Sequence, residues 1–299
     1  MKKQTFLITA AAASLMLASC GKGSSDSVAT PDPKYITVEA EIGNLTRATT
    51  NGVSTVFDKG DQISLYAWTE SATAMPTSLV VNGVTNTLGD DGKWTPETLM
   101  LWQDMTTLHY FLSIYPKRTV ADFTADEFSI TEGNYQASDL LAAVRLSPGL
   151  TATNNPVNLT FNHQMAKLYV NMNFRTQWDA VPAIASCTAT AAKTCTINYL
   201  ANTVTPKGEQ VDVPLAAKEK AENFSVSYEG IMVPQTGFRT VSVKIGEQTF
   251  TYTHDADIPL AAGKFTTLNL IVGRNKIEIG TVDITDWKDG GNPISGEAM

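Results

Sequence analysis

The chain is poor in the residues that most often build catalytic and metal sites. It has three histidines, His109, His163 and His254, and three cysteines, Cys20, Cys187 and Cys195, in 299 residues. The histidines stand far apart, and none has a second His or Cys at ligand spacing, so no metal site is expected. There is no Gly-rich phosphate loop and no G-x-S-x-G elbow. The fragments Gly60-Asp61 and Gly89-Asp90-Asp91-Gly92 carry too few ligands for a calcium loop and read as turns. Basic residues do not dominate. Lys and Arg number 22 against 30 Asp and Glu, a formal charge of −8, which argues against nucleic acid as a partner. The reading is therefore of a non-enzyme with no catalytic residue and no cofactor. Long helical periods are scarce too: only ADEFSI and ASDLLAAVRL offer a helical turn or two. After the first twenty residues no apolar run is long enough to span a bilayer, which takes about 20 residues.

What is present begins at the N-terminus. Lys2 and Lys3 precede an apolar run from Phe6 to Leu17, and Ala18-Ser19 stands directly before Cys20. A basic end, a short apolar core and a small-residue site make a secretory signal, residues 1–19, rather than a spanning helix. The small pair before a cysteine resembles the bacterial lipobox, which implies acylation of Cys20 and cleavage before it. Stable anchoring takes two or more acyl or equivalent signals. Residues 20–34 are rich in Gly, Ser, Asp and Pro and read as a flexible tether.

The body reads as β throughout. ITVEAEI (36–42) alternates strictly. QISLYAW (62–68) sets Ile63, Leu65 and Ala67 on one face with Tyr66 and Trp68 opposite. SLVVNGVTNTL (78–88) holds Asn82-Gly83, a hairpin signal. LHYFLSIYP (108–116) is a dense aromatic strand, and further alternating segments lie at 157–161, 167–174, 224–233, 240–245, 248–254 and 265–272. Short strands separated by Gly, Asn, Asp and Pro indicate β-sandwiches. The expected division is an N-terminal sandwich over 35–161 and a C-terminal one over 162–299. Near the end, Ile277 and Ile279 alternate, Gly280-Thr281 shifts the phase, and Val282 and Ile284 alternate again. That pattern reads as two short strands joined at a bulge. Cys187 and Cys195 are a candidate disulfide pair in an exported protein, or two buried thiols.

Several motifs fall in a specific order. Leu45-Thr46-Arg47 follows the first strand. Phe57-Asp58-Lys59-Gly60-Asp61-Gln62-Ile63 comes next, then Trp94 and Trp102 ahead of Tyr110 to Pro116. Asp139-Leu140-Leu141-Ala142 and Leu159 through Leu168 (LTFNHQMAKL) follow, and the series closes on Ile284-Thr285-Asp286-Trp287. In this the chain resembles the fimbrillin-like lipoproteins of Bacteroidetes, the shaft, tip and anchor subunits of type V pili. The resemblance implies an all-β fold of two tandem transthyretin-like sandwiches and a route to the surface. The precursor would travel as an outer-membrane lipoprotein. An arginine-specific protease would cut between Arg47 and Ala48, removing the first strand (35–43) together with the Cys20 anchor. A strand from another fimbrial subunit would then fill the groove. The segment 276–287, with Ile277, Ile279, Val282 and Ile284, is the candidate donor, or else simply the last strand of its own sandwich.

A second reading stays open: a surface lipoprotein that keeps its anchor, does not polymerise, and presents a glycan- or protein-binding face. Trp94, Trp102, Tyr110 and Tyr115 could make a sugar platform, or fill a sandwich core.

Overall fold

The computed structural model describes residues 34–43 and 56–286, all within one compact unit that spans Asp32–Met299. The chain order is β1 (Val38–Ile42), β2 (Gln62–Trp68), β3 (Val81–Leu88), β4 (Trp94–Pro96), β5 (His109–Tyr115), β6 (Asp126–Ser129) and a single helical turn α1 (Tyr135–Ser138). Next come β7 (Leu141–Leu150), β8 (Val157–His163), β9 (Ala166–Phe174), β10 (Ile184–Asn198), β11 (Thr203–Pro214), β12 (Ala216–Lys218), β13 (Val226–Met232), β14 (Thr240–Ile245), β15 (Gln248–Thr253), β16 (Lys264–Val272) and β17 (Ile277–Asp286). The protein is all-β. Among the described residues no helix is long and apolar enough to cross a membrane.

The first sheet has seven strands in the order β1-β8-β7-β5-β2-β3-β4. It bends so far that its two ends meet. The backbone just before β1 joins the backbone just after β4: Ile36 N–H donates to Met100 O at 2.8 Å, and Trp102 N–H to Lys34 O at 3.2 Å. The rolled sheet encloses a core of Ile63, Leu65, Phe111, Leu159, Phe161 and their neighbours. Strand β2 shows why the roll is stable. Ile63, Leu65 and Ala67 point into that core, while Tyr66 and Trp68 point the other way and are equally buried. A strand with two apolar faces belongs in the middle of a sheet covered on both sides.

The second face is covered by the C-terminal half. There, two five-stranded sheets, β11-β10-β14-β15 with β6 and β12-β13-β9-β16-β17, enclose a core that includes Leu168, Val170, Ala189, Val241, Phe250 and Leu268. A third apolar cluster, with Tyr66, Trp68, Leu112, Phe123, Ile197, Tyr199, Ile231 and Phe265, joins the halves. The chain passes from the rolled sheet into the C-terminal half between β8 and β9. One N-terminal strand has already crossed: β6 pairs with Thr194–Ile197 of β10. Arg118 holds this crossing with two bonds to the Asp126 carboxylate, at 2.7 and 3.1 Å, and Tyr199 donates a third at 2.7 Å.

Three local expectations change. ADEFSI is strand β6, not a helical turn, because β10 offers it a ladder partner. Of ASDLLAAVRL only the first residues are helical, in α1; the remainder is β7. Asn82-Gly83 is not a hairpin turn but a bulge inside β3, where two residues oppose the single Tyr66. Gly83 has φ +63°, and a Cβ there would come 3.0 Å from the Tyr66 hydroxyl, so only glycine suits the site.

Candidate functional site

The first strand sits in a socket with two walls. On one side β1 runs parallel to β8, with Val38 opposite Val157 and Ile42 opposite Phe161. Val157 N–H donates to Thr37 O at 2.8 Å, and Gly43 N–H to Phe161 O at 2.7 Å. Asn155 caps the start of the pair by accepting from Thr37 N–H at 2.9 Å. On the other side the strand's leading residues pair with 100–102, through a bridge between Tyr35 and Leu101. The strict alternation of 36–42 now has a cause. Ile36, Val38 and Ile42 point into the rolled core and are buried; Ala40 packs half-buried between them. At about 1.5–3 kcal/mol per fully buried aliphatic side chain, those three supply roughly 5–9 kcal/mol of apolar burial. That is comparable with the whole stability of a typical domain, about 5–15 kcal/mol.

Both ends of the segment between β1 and β2 are pinned. At the near end Gly43 lies so close to β8 that a Cβ would meet Asn162 Oδ1 at 2.8 Å. At the far end the Phe57 ring meets Trp94, Tyr115 and Phe161 edge-on, with centroids 5.1, 5.3 and 5.2 Å away. Ile42 and Phe57 then line a cleft of about 340 Å³ with Asp58, Asp61, Tyr115 and Lys167. Lys167 is nearly inaccessible at its floor. Its Nζ lies 3.2 Å from Glu229 Oε2, which Lys218 also approaches at 3.3 Å, and the rings of Tyr135 and Tyr169 flank it. Burial pushes the Lys167 ammonium below the usual lysine range, and Glu229 partly restores it.

Residues 46–287, most of the chain, match the model of the fimbrillin-like family. The chain belongs to the fimbrillin-like family. Solved structures agree in fold. A Bacteroides uniformis protein provisionally described as a cell adhesion protein superimposes with a TM-score of 0.64 at 17% identity, covering 87% of this chain and 100% of that one. A Bacteroides ovatus protein with the same provisional description gives 0.63 at 16%, covering 86% and 99%. A fimbrial protein from Bacteroides vulgatus gives 0.53 at 11%, covering 85% and 100%. No curated protein sequence matches this one.

In this fimbrillin-like chain the remaining candidate residues fall as follows. Cys20, Arg47, Ala48 and Trp287 lie outside the described residues. Ile277, Ile279, Val282 and Ile284 form β17, an edge strand paired antiparallel with β16 along its whole length. The expected bulge is there: Asn269 faces Thr281 and Leu270 faces Ile279, leaving Gly280 unpaired. Ile277 is buried, but Val282 and Ile284 are 37% and 42% exposed. Both lie on the core side of the sheet, opposite the buried Leu268 and Thr266. The end of β17 therefore offers apolar side chains that its own sandwich does not cover.

Cys187 and Cys195 are free thiols, not a disulfide. Both lie on β10, eight residues apart in one extended strand, and so about 26 Å apart at ~3.3 Å per residue. A disulfide needs Cα atoms within about 7 Å. Cys187 faces the C-terminal core and Cys195 the junction between halves. Burial pushes both thiols up to about 12. The aromatic residues serve packing: Trp94 and Trp102 are in the rolled core with Tyr115 against it, and Tyr110 packs at the junction. Sequence reading missed the aromatic box around Phe57 and the ion pair at Lys167. The only trace of the box was the aromatic content of the motifs around 57, 94, 115 and 161.

Proposed function

We propose that this chain is a structural subunit of a type V fimbria. In this reading it reaches the surface as a lipoprotein through Cys20, is cut between Arg47 and Ala48, and joins its neighbours by donor-strand exchange, supporting adhesion. The two halves, 35–161 and 162–299, serve as sandwich domains on a rigid apolar junction. The observation that carries the reading is the socket of β1. The strand is short, lies between two walls, and is followed at once by the segment holding Arg47. An apolar groove bared by its loss is too costly to stay empty, and its open ladder edges accept an extended strand. Fimbrillin-like family membership supports the same role.

One observation favours the alternative, a subunit that stays on its anchor and does not donate a strand. β17 is already paired with β16 over nine residues of its own sheet. Mass spectrometry of surface material separates the two. Polymerising subunits start at Ala48, and Arg47→Ala should hold them on the membrane. Finding only acylated Cys20 as the first residue of surface material would overturn the proposal.

A further inference from the structure

The described surface has nine exposed large apolar side chains, and four of them, Leu99, Leu101, Met105 and Leu108, fall within one ten-residue loop between β4 and β5. Leu99 is the most exposed of all, at 72%. Apolar side chains scattered singly need no explanation, whereas four exposed ones on one short loop call for one.

The loop is built to keep them outward. Met100 and Trp102 alternate with Leu99 and Leu101 and fill the rolled core, which fixes the outward direction of the pair. Beyond them Asp104 ties the turn by accepting from the backbone and hydroxyl of both Thr106 and Thr107, at 2.6–3.2 Å. His109 completes the frame: its Nε2 accepts from Gln103 N–H at 3.0 Å and its Nδ1 meets Thr107 O at 2.9 Å. A surface held in this way loses little conformational freedom when it docks. Asp104 is the sole ionisable group between Leu99 and Leu108, and its carboxylate is engaged by the turn.

Chain connectivity says what the loop meets. Trp102 N–H donates to Lys34 O, and Leu101 bridges to Tyr35, so the loop is stitched to the first described residues of the body. Only 13 residues, 14 chain steps, lie between Cys20 and Lys34. Even fully extended they span no more than about 50 Å. If Cys20 carries the lipid, as the proposed function has it, this loop stays within about 50 Å of the bilayer. A contact too weak to act alone is then effective, because the tether makes it intramolecular. Lys34 and Tyr35, with the Lys34 ammonium 4.8 Å from the Tyr35 ring centre, add the residue types that settle at a lipid–water interface.

We propose that the loop Leu99–Leu108 is a membrane-docking surface that seats the anchored precursor on the lipid. The test uses the full acylated chain on vesicles of phosphatidylethanolamine and phosphatidylglycerol that contain nitroxide-labelled lipid. An environment-sensitive fluorophore is placed at Leu99→Cys and, as a control, at Thr251→Cys on the outer face of β15. Cys187 and Cys195 are buried and leave the label to the new site. The label at 99 should shift to the blue and be quenched several-fold more strongly than the label at 251. Equal, weak quenching at both positions on a chain that floats with the vesicles overturns the docking and spares the anchor. A chain that does not float overturns the anchor reading and the docking with it. A blue shift at 99 without vesicles, growing with protein concentration, assigns the loop to a second copy and also overturns the proposal.

Discussion

β1 with the residue pair before it, and β17, both end a sheet's strand order and both carry four apolar positions, yet the fold treats them in opposite ways. In β1 and the residue pair before it, Ile36, Val38 and Ile42 are buried and backbone partners stand on both sides. In β17 only Ile277 is buried, one neighbour supplies the ladder, and Val282 and Ile284 face outward from an uncovered part of the core side. The difference lies in what covers each strand. The rolled sheet closes over β1, whereas the C-terminal sandwich ends before the tip of β17. An apolar ladder in sequence therefore does not say whether a strand is a plug or a projection; the neighbouring walls decide.

The contrast can be broken at its strongest point first. Phe161→Ala, in the β8 wall opposite Ile42 and against Phe57, should cost ~3–5 kcal/mol of stability in urea unfolding. Ile42→Ala should cost about 2–5 kcal/mol. Ile284→Ala, the matching change on β17, should stay within about 0.5 kcal/mol, as exposed substitutions do. If Ile42→Ala and Ile284→Ala cost the same, the distinction between plug and projection fails.

A smaller effect tests the floor of the cleft. The folded-state pKa of Lys167 lies below its unfolded value, so between the two the unfolded chain holds more protons and stability rises with pH. The gain should run up to about pH 10, where the unfolded lysine titrates. Lys167→Met, which keeps the volume and removes the charge, should flatten this rise and leave the chain folded. Melting temperatures across pH 7–10 for both chains measure it. The smallest expected effect is that of reductant. With both thiols free and buried, dithiothreitol should leave the melting temperature unchanged, and thiol reagents should label Cys187 and Cys195 only as the protein unfolds.

Most strands were legible because their alternation is strong. QISLYAW and TVSVKI coincide with β2 and β14 to the residue. The longest hairpin, β10 with β11, was not. Its first arm, IASCTATAAKTCTIN, buries alanines, cysteines and an isoleucine, and alanine carries a poor strand signal. Its second arm, TVTPKGEQVDVP, is exposed on almost every residue and holds Pro206 and Gly208, which suit an edge strand and read as a loop. For the candidate site, the β1 ladder was legible in 36–42, but its second wall was not, since the pairing with 100–102 joins residues about 65 positions apart in sequence. Lys167 sat on what looked like the polar face of an alternating strand. Only the arrival of Tyr135 from α1 and Glu229 from β13 turns that face inward.

The pinning of Gly43 and Phe57 has a thermodynamic consequence. Whatever path residues 44–55 take, they join β1 covalently to the groove that holds it, so a strand that leaves the groove stays beside it. Its local concentration in such an arrangement is of millimolar order. One hydrolysed bond between the two pins ends that. The same strand, with unchanged contacts, becomes a separate molecule governed by its dilution, and its occupancy falls with the volume around the cell. The groove would not have to weaken for its occupant to change; the connection alone would set which strand wins.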